Sequence, residues 1–343
     1  MKIDGGIGLA ADRVGGLLET AARSAQRLED AGYDGGWSAE IRSDPFLPLA
    51  LAAEHTSTID LGTSIAVAFA RNPMTVATTA WDLQAFSGGR LICGLGSQIK
   101  PHITKRFSMP WSSPAARMRE FVLAMRAIWD AWTTGERLAF RGEFYRHTLM
   151  TPMFDPGPNP HGHPRVFVAG VGPLMTRVAG EVADGFLSHA FQTADYLRDV
   201  TLPAIAEGLA IAGRDRSDFE VAMPLFVVTG RDDAELAEAA RFAKQQIAFY
   251  GSTPAYRPVL DHHGWGDLQT ELNTLSKQGK WVEMGEVVDD TVLRAFAVVG
   301  APEDLASEIT HRFGGLLDRI QFYAHDPADP ERWSEVIDAL RSA

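Results

Sequence analysis

The sequence predicts an α/β fold of the TIM (β/α)8 barrel class, with insertions, and three observations carry that expectation. Eight short apolar runs that read as strands alternate with helical stretches along almost the whole chain, the pattern of a parallel sheet built from βα units. Within residues 61–98 one such unit is complete. An apolar run ends in Gly62-Thr63-Ser64-Ile65, a helix-compatible segment follows Pro73, and a second run, 91–95, opens into Gly96-Ser97-Gln98. Finally, 343 residues of 45% hydrophobic composition suffice for one barrel plus insertions. A single domain over 1–343 is expected, with two conventional domains as the alternative.

Residues 3–9 read as the first strand. Asp12 can cap a helix whose apolar positions Val14, Leu17, Leu18, Ala21, Ala25 and Leu28 recur mostly at spacings of three and four, and Gly32 stops it. Residues 34–38 give a second strand ending at Ala39-Glu40, and 45–56 a helix. The third and fourth strands are 59–65 and 90–95. From 115 to 132 the set Met118, Phe121, Val122, Met125, Ile128, Trp129 and Trp132 forms one helical stripe, which means core packing. Five prolines between 151 and 164 break regular structure. Strands five to eight follow at 165–169, 183–188, 220–228 and 319–323, and Pro302 with Glu303 and Asp304 starts the helix before the last of them. The stretch 251–293, with Trp265 and Trp281, exceeds an ordinary βα connection and is expected to be an insertion.

The formal charge of -12 excludes broad attraction to nucleic acid or to an anionic membrane, since both need a basic surface. Cys93 is the single cysteine and lies in an apolar strand, so it is expected to be a buried structural thiol. No basic segment with an apolar core opens the chain, and no apolar run approaches the ~20 residues of a spanning helix. A cytoplasmic protein is expected.

Gly170-Val171-Gly172-Pro173 follows an apolar strand and precedes a helix. Small residues there let backbone N–H groups approach an anion; a plain tight turn is the alternative. Gly5-Gly6-Ile7-Gly8 falls within the first strand, so it is no dinucleotide signal. Ser97, Gln98 and His102 follow strand four, His189 follows strand six, and Glu40 ends strand two, all on the strand-exit side where barrel ligands gather. A carboxyl group such as that of Glu40 exchanges protons with substrate if burial raises its pKa. The pairs His161/His163 and His262/His263 lack a carboxylate or cysteine at ligand spacing, so no metal site is expected. No nucleophile-elbow or P-loop motif occurs.

Leu61-Gly62-Thr63-Ser64-Ile65, Pro73, Ser87-Gly88-Gly89-Arg90 and Gly94-Leu95-Gly96 together resemble the luciferase-like monooxygenase superfamily, and specifically its branch that uses the deazaflavin coenzyme F420. The resemblance extends over almost the whole chain, with 165–186 as a second strong block. It implies that a backbone bulge at Ser64-Ile65, often with a non-proline cis peptide, supports the central ring of the cofactor. It also implies that Gly170, Val171 and Gly172 hold its phosphate, while Ser97 and Gln98 meet the ribityl chain or the pyrimidine edge. Where deazaflavin relatives carry an acidic residue followed by histidine, this chain has Ala39-Glu40. That makes Glu40 the candidate acid or base, with His102 and His189 orienting substrate. The implied activity is hydride transfer between the deazaflavin C5 and a small organic substrate, by a homo-oligomer, a dimer. Two rivals stand beside it: an FMN-dependent monooxygenase fed by a separate reductase, and a barrel that has lost catalysis and only binds.

Overall fold

The computed structural model describes residues 1–8, 17–325 and 330–342. In chain order the elements are β1 (Lys2–Gly6), α1 (Leu17–Asp30), β2 (Gly35–Ser38), α2 (Leu47–His55), β3 (Asp60–Thr63), β4 (Ala66–Val67), α3 (Pro73–Phe86) and β5 (Leu91–Gly96). Next come α4 (Pro114–Thr134), β6 (Phe140–Arg141), β7 (Arg146–His147), β8 (Arg165–Gly170), α5 (Pro173–Val182), β9 (Gly185–Ser188), α6 (Ala194–Tyr196), α7 (Leu202–Ala212) and β10 (Glu220–Val228). The chain finishes with α8 (Asp233–Gly251), α9 (Arg257–His262), α10 (Gly266–Lys277), α11 (Trp281–Val287), α12 (Asp290–Phe296), β11 (Ala297–Val299), α13 (Pro302–Phe313), β12 (Arg319–Tyr323) and α14 (Pro330–Ser342).

The fold is the expected TIM barrel. Eight parallel strands run in the order β10-β12-β1-β2-β3-β5-β8-β9, and β9 pairs with β10 to close the ring. All eight expected strands are present. The first ends at Gly6 instead of Leu9, which itself lies outside the described residues, as do the expected cap Asp12 and the helical position Val14. Three strand features were not foreseen: the short strand β4, which follows a third strand ending at Thr63 instead of Ile65, the short strand β11, which pairs with the last residues of β10, and the β6–β7 hairpin. Their strands are two or three residues long, too short to show a period of two.

The described chain divides into two compact units. One comprises Asp4–Leu187 and Ala204–Glu220. Its strands are covered on both faces, and every residue of β5 is buried, as parallel barrel strands require. Cys93 sits there, its thiol pushed up to about 12 by desolvation. The expected α4 stripe is buried throughout. Trp129 donates its indole N–H to the Ala77 carbonyl at 3.1 Å and stacks on Trp81 at 6.3 Å, which fastens α4 to α3. Arg90 donates to the carbonyls of Ala53, Thr56 and Ile59 and to the Thr56 hydroxyl. It thereby satisfies the last turn of α2, where orphan carbonyls favour a cation. The Ser-Gly-Gly-Arg motif is thus part of the framework.

The other unit comprises Met1–Ile3, Ser188–Pro203 and Val221–Ala343. Residues 251–293 fold mainly as α9, α10 and α11 and the start of α12. They pack on α8 around Ile247, Ala248, Leu260, Leu272, Met284 and Leu293, together with Phe191, Phe226 and Phe296. This excursion therefore shares one core with α8 and the end of β10. Among the described residues no helix is long and apolar enough to cross a membrane.

Candidate active site

The first unit gathers most of the expected residues at the exits of β2, β3, β5 and β8. The ladder between β3 and β5 aligns Gly62 with Ile92, and that between β4 and β5 aligns Ala66 with Leu95. Three residues, Thr63, Ser64 and Ile65, therefore oppose two, Cys93 and Gly94. This is a one-residue bulge, a device that re-aims backbone next to sites. Thr63 makes it possible: its hydroxyl donates to the Gly94 carbonyl at 2.7 Å and accepts the Gly94 N–H at 2.9 Å, replacing the lost ladder bonds. Gly94 has to be glycine, because a Cβ would lie 1.8 Å from the Thr63 carbonyl oxygen. The Ser64–Ile65 peptide bond is cis, and Ser64 N–H still donates to the Ser38 carbonyl at 2.8 Å.

Glu40 is held against this bulge. Its N–H donates to the Ile65 carbonyl at 3.2 Å, and its Oε2 accepts the Val67 N–H at 2.7 Å and Arg71 Nη1 at 2.5 Å. Arg71 also donates to Asp44 Oδ2 at 2.9 Å and to the Val67 carbonyl at 3.2 Å. The Glu40 side chain is 8% exposed and that of Arg71 20%. A buried carboxylate needs such a partner. One carboxylate oxygen is thus committed to holding β4, and Oε1 carries no hydrogen bond among the described residues. The sequence reading missed Arg71. Its signal was present: one cation ending the apolar run Ala66 to Ala70, just before Asn72-Pro73 starts α3.

Gly96 ends β5 with its Cα against Ile65, where a Cβ would come within 2.6 Å of Ile65 Cδ1. Ser97 and Gln98 follow at once. Gln98 takes a left-handed backbone, φ 60°, which a non-glycine residue adopts seldom. Its Oε1 accepts the Ile99 N–H at 2.9 Å, and the Ser97 hydroxyl donates to the Gln98 carbonyl at 3.1 Å. Both side chains therefore stabilise this turn. His102 is exposed at the start of a π-helical turn, His102–Arg106, tied to the β2 exit through Arg106, which donates to the Ile41 carbonyl at 3.0 Å.

The β5–β8 register, Leu95 with Val168, brings the Gly170 turn alongside. Gly170 is the last residue of β8 instead of the first of the turn, and a Cβ there would meet Met175 and Phe186. Gly172 is the N-cap of α5, with no side-chain cap and nothing within 4 Å of a built Cβ. Pro173 at the first helical position removes one orphan donor, and the following N–H groups face an open approach.

His189 belongs to the other compact unit. It follows Ser188 of β9 and sits between Tyr250, edge-on at 4.5 Å, and Tyr256 at 4.8 Å. Burial pushes its pKa down to about 4, so at neutral pH the ring is uncharged. Of the paired histidines, His262 lies 3.2 Å from Asp199, His263 contacts the Thr193 hydroxyl at 2.8 Å, and His163 contacts that of Thr133 at 3.2 Å. Among the described residues no group of three or more His, Cys, Asp or Glu is placed to hold a metal ion.

This barrel, bulged at its third strand and open at the Gly172 turn, has clear counterparts. Residues 7–319 match the family described as luciferase-like monooxygenase. The chain belongs to that family and is an oxidoreductase. An uncharacterized protein of Mycobacterium tuberculosis is 58% identical over 320 residues, 93% of this chain and 92% of its own length. The F420-dependent glucose-6-phosphate dehydrogenase of Intrasporangium calvum is 32% identical over 232 residues, 63% of this chain and 67% of that one. Among solved structures, the coenzyme F420 dependent tetrahydromethanopterin reductase of Methanopyrus kandleri superposes with a TM-score of 0.77 at 22% identity, over 98% of this chain and 97% of that one.

Proposed function

We propose that the chain is a coenzyme F420-dependent oxidoreductase that moves a hydride between C5 of the deazaflavin and a small organic substrate. The observation that carries this reading is the Gly172 turn. An uncapped helix start with open space in place of a Cβ suits the close approach of a cofactor phosphate to backbone N–H groups. The dehydrogenase of Intrasporangium calvum, F420-dependent by name, favours the deazaflavin.

When bound, the cofactor supplies the carbon that carries the hydride. Everything else falls to the protein. The N–H groups after Gly172 and the Val171 backbone hold the phosphate. The bulged backbone at Ser64 and Ile65 supports the ring from one side, kept in register by Thr63 and by the Glu40–Arg71 pair. Ser97 and Gln98 present backbone polar groups to the polar parts of the cofactor. Glu40 Oε1 would hold or release the proton that accompanies hydride transfer, and His102 would orient substrate.

The family description favours a second reading, an FMN-dependent monooxygenase. A deazaflavin does not readily form the oxygen adduct that such a reaction needs. Oxygen uptake therefore separates the two: with reduced FMN and a reductase the protein is expected to add nothing to background consumption. Substrate-dependent oxygen uptake would replace the first reading with the second.

A further inference from the structure

His189 is built as a hydrogen-bond donor of fixed polarity. Phe191 N–H donates to its Nδ1 at 2.9 Å, so Nδ1 is the acceptor nitrogen and the ring proton sits on Nε2. No hydrogen bond reaches Nε2 among the described residues. Of the two flanking tyrosines, Tyr250 spends its hydroxyl proton elsewhere, and Tyr256 carries a second neutral O–H. Tyr323 donates its hydroxyl proton to Gln246 Oε1 at 2.8 Å, so at the 3.2 Å contact between Tyr250 and Tyr323 it is Tyr250 that donates. Around the imidazole lie rings: Tyr250 and Tyr256 on His189, Phe191 on Tyr256 at 5.5 Å, and Phe296 stacked on Phe191 at 4.5 Å. None of these groups carries a charge, and desolvation is the sole cause of the depressed His189 pKa.

We propose that His189 Nε2–H is the donor that binds the substrate oxygen in an aromatic-walled subsite, and that the substrate taken there is an uncharged ketone or aldehyde, or the corresponding alcohol. The proposal rests on the oxidoreductase reading above and narrows its substrate. A phosphate or carboxylate buried against this wall would find neutral donors only and, among the described residues that flank His189, no cation, an arrangement that penalises the charge heavily. A carbonyl oxygen asks for one or two donors and no counter-charge. Its apolar substituents replace water against Phe191, Tyr250 and Tyr256, surfaces that recognise flat apolar groups.

The test uses the full chain without cofactor and three probes of one shape. Acetophenone carries the oxygen, α-methylstyrene has a methylene group in its place, and benzoate carries a charge. Calorimetric titration is expected to give acetophenone an affinity roughly three- to tenfold above that of α-methylstyrene, the worth of one hydrogen bond, with benzoate the weakest. In protein labelled with 15N-histidine, acetophenone moves the His189 Nε2 resonance, and Nδ1 keeps its acceptor shift. His189→Phe keeps a ring between the two tyrosines and abolishes the preference for the ketone. His189→Gln restores an N–H and part of the preference, with circular dichroism checking both variants. Equal affinity for the ketone and its alkene, an unmoved Nε2 resonance, or benzoate as the tightest probe would each overturn the proposal. Because no deazaflavin is present, failure here leaves the cofactor assignment standing, and failure of cofactor binding leaves these titrations interpretable.

Discussion

The exits of β2 to β5 and the surroundings of His189 handle polar groups in contrasting ways. In the first region most polar side chains serve the backbone, with Glu40 Oε1 and His102 the exceptions. Thr63 bridges a bulge, Glu40 and Arg71 hold β4, and Ser97 and Gln98 close a turn. In the second region one imidazole donor stands among rings, its other nitrogen fixed by a backbone N–H. The first plan yields a rigid platform with few side chains offered outward, suited to a large cofactor held by backbone. The second yields one directional contact in an apolar surround, suited to a small ligand.

Removing the proton site from the platform is expected to have the largest effect. Glu40→Gln keeps an acceptor for the Val67 N–H but weakens the pair with Arg71 and ends proton exchange at Oε1. Turnover of the cofactor-loaded enzyme is expected to fall by roughly 10²–10⁴. Arg71→Met removes only the strut. It is expected to destabilise the fold by about 2–4 kcal/mol, as breaking a largely buried pair does, and to slow turnover about tenfold at most. Urea unfolding and single-turnover rates on both variants check this. Equal rate losses with unchanged pH profiles would make Glu40 a strut alone.

The aromatic region makes a prediction about pH. The His189 pKa is about 4 in the folded protein against a reference of 6.5, so the unfolded chain takes up the proton first as pH falls. The stability this neutral ring contributes is fully present above about pH 6.5 and is lost as pH falls towards about 4. The size of the loss is about 2–3 kcal/mol. Urea unfolding of the wild type and of His189→Gln at pH 7 and pH 4.5 isolates it. The wild type is expected to lose most of that amount in excess of the variant, and parallel losses would contradict the burial argument.

A smaller effect separates two glycines of the platform. Gly172→Val projects into open space and is expected to weaken cofactor binding about tenfold while leaving the melting temperature nearly unchanged. At Gly170 a side chain meets Met175 and Phe186, so Gly170→Val is expected to lower the melting temperature instead. Calorimetry and thermal melts on the same samples distinguish them. Normal cofactor affinity in Gly172→Val would move the phosphate elsewhere.

The same contrast explains what the sequence could and could not reveal. The strands were legible because apolar runs such as 91–95 and 221–228 leave few other readings, and the α4 stripe because Met118 to Trp132 repeats at helical spacing. The Gly172 turn was legible because small residues between a strand and a helix are informative locally. Arg71 was not, since its worth lies in reaching Glu40 and Asp44 across about thirty positions of sequence. Nor could spacing place Tyr250 and Tyr256 against His189, because those contacts depend on how α8 and the helices after it fold over 251–293. The local roles of Ser97 and Gln98 were equally hidden, since they follow from the left-handed backbone at Gln98.

The central claim is that the platform holds a deazaflavin, and a paired fluorescence titration of the purified protein with coenzyme F420 and with FMN tests it most directly. The account predicts saturable binding of coenzyme F420 at least tenfold tighter than that of FMN. Tight binding of FMN with no measurable affinity for the deazaflavin would contradict it.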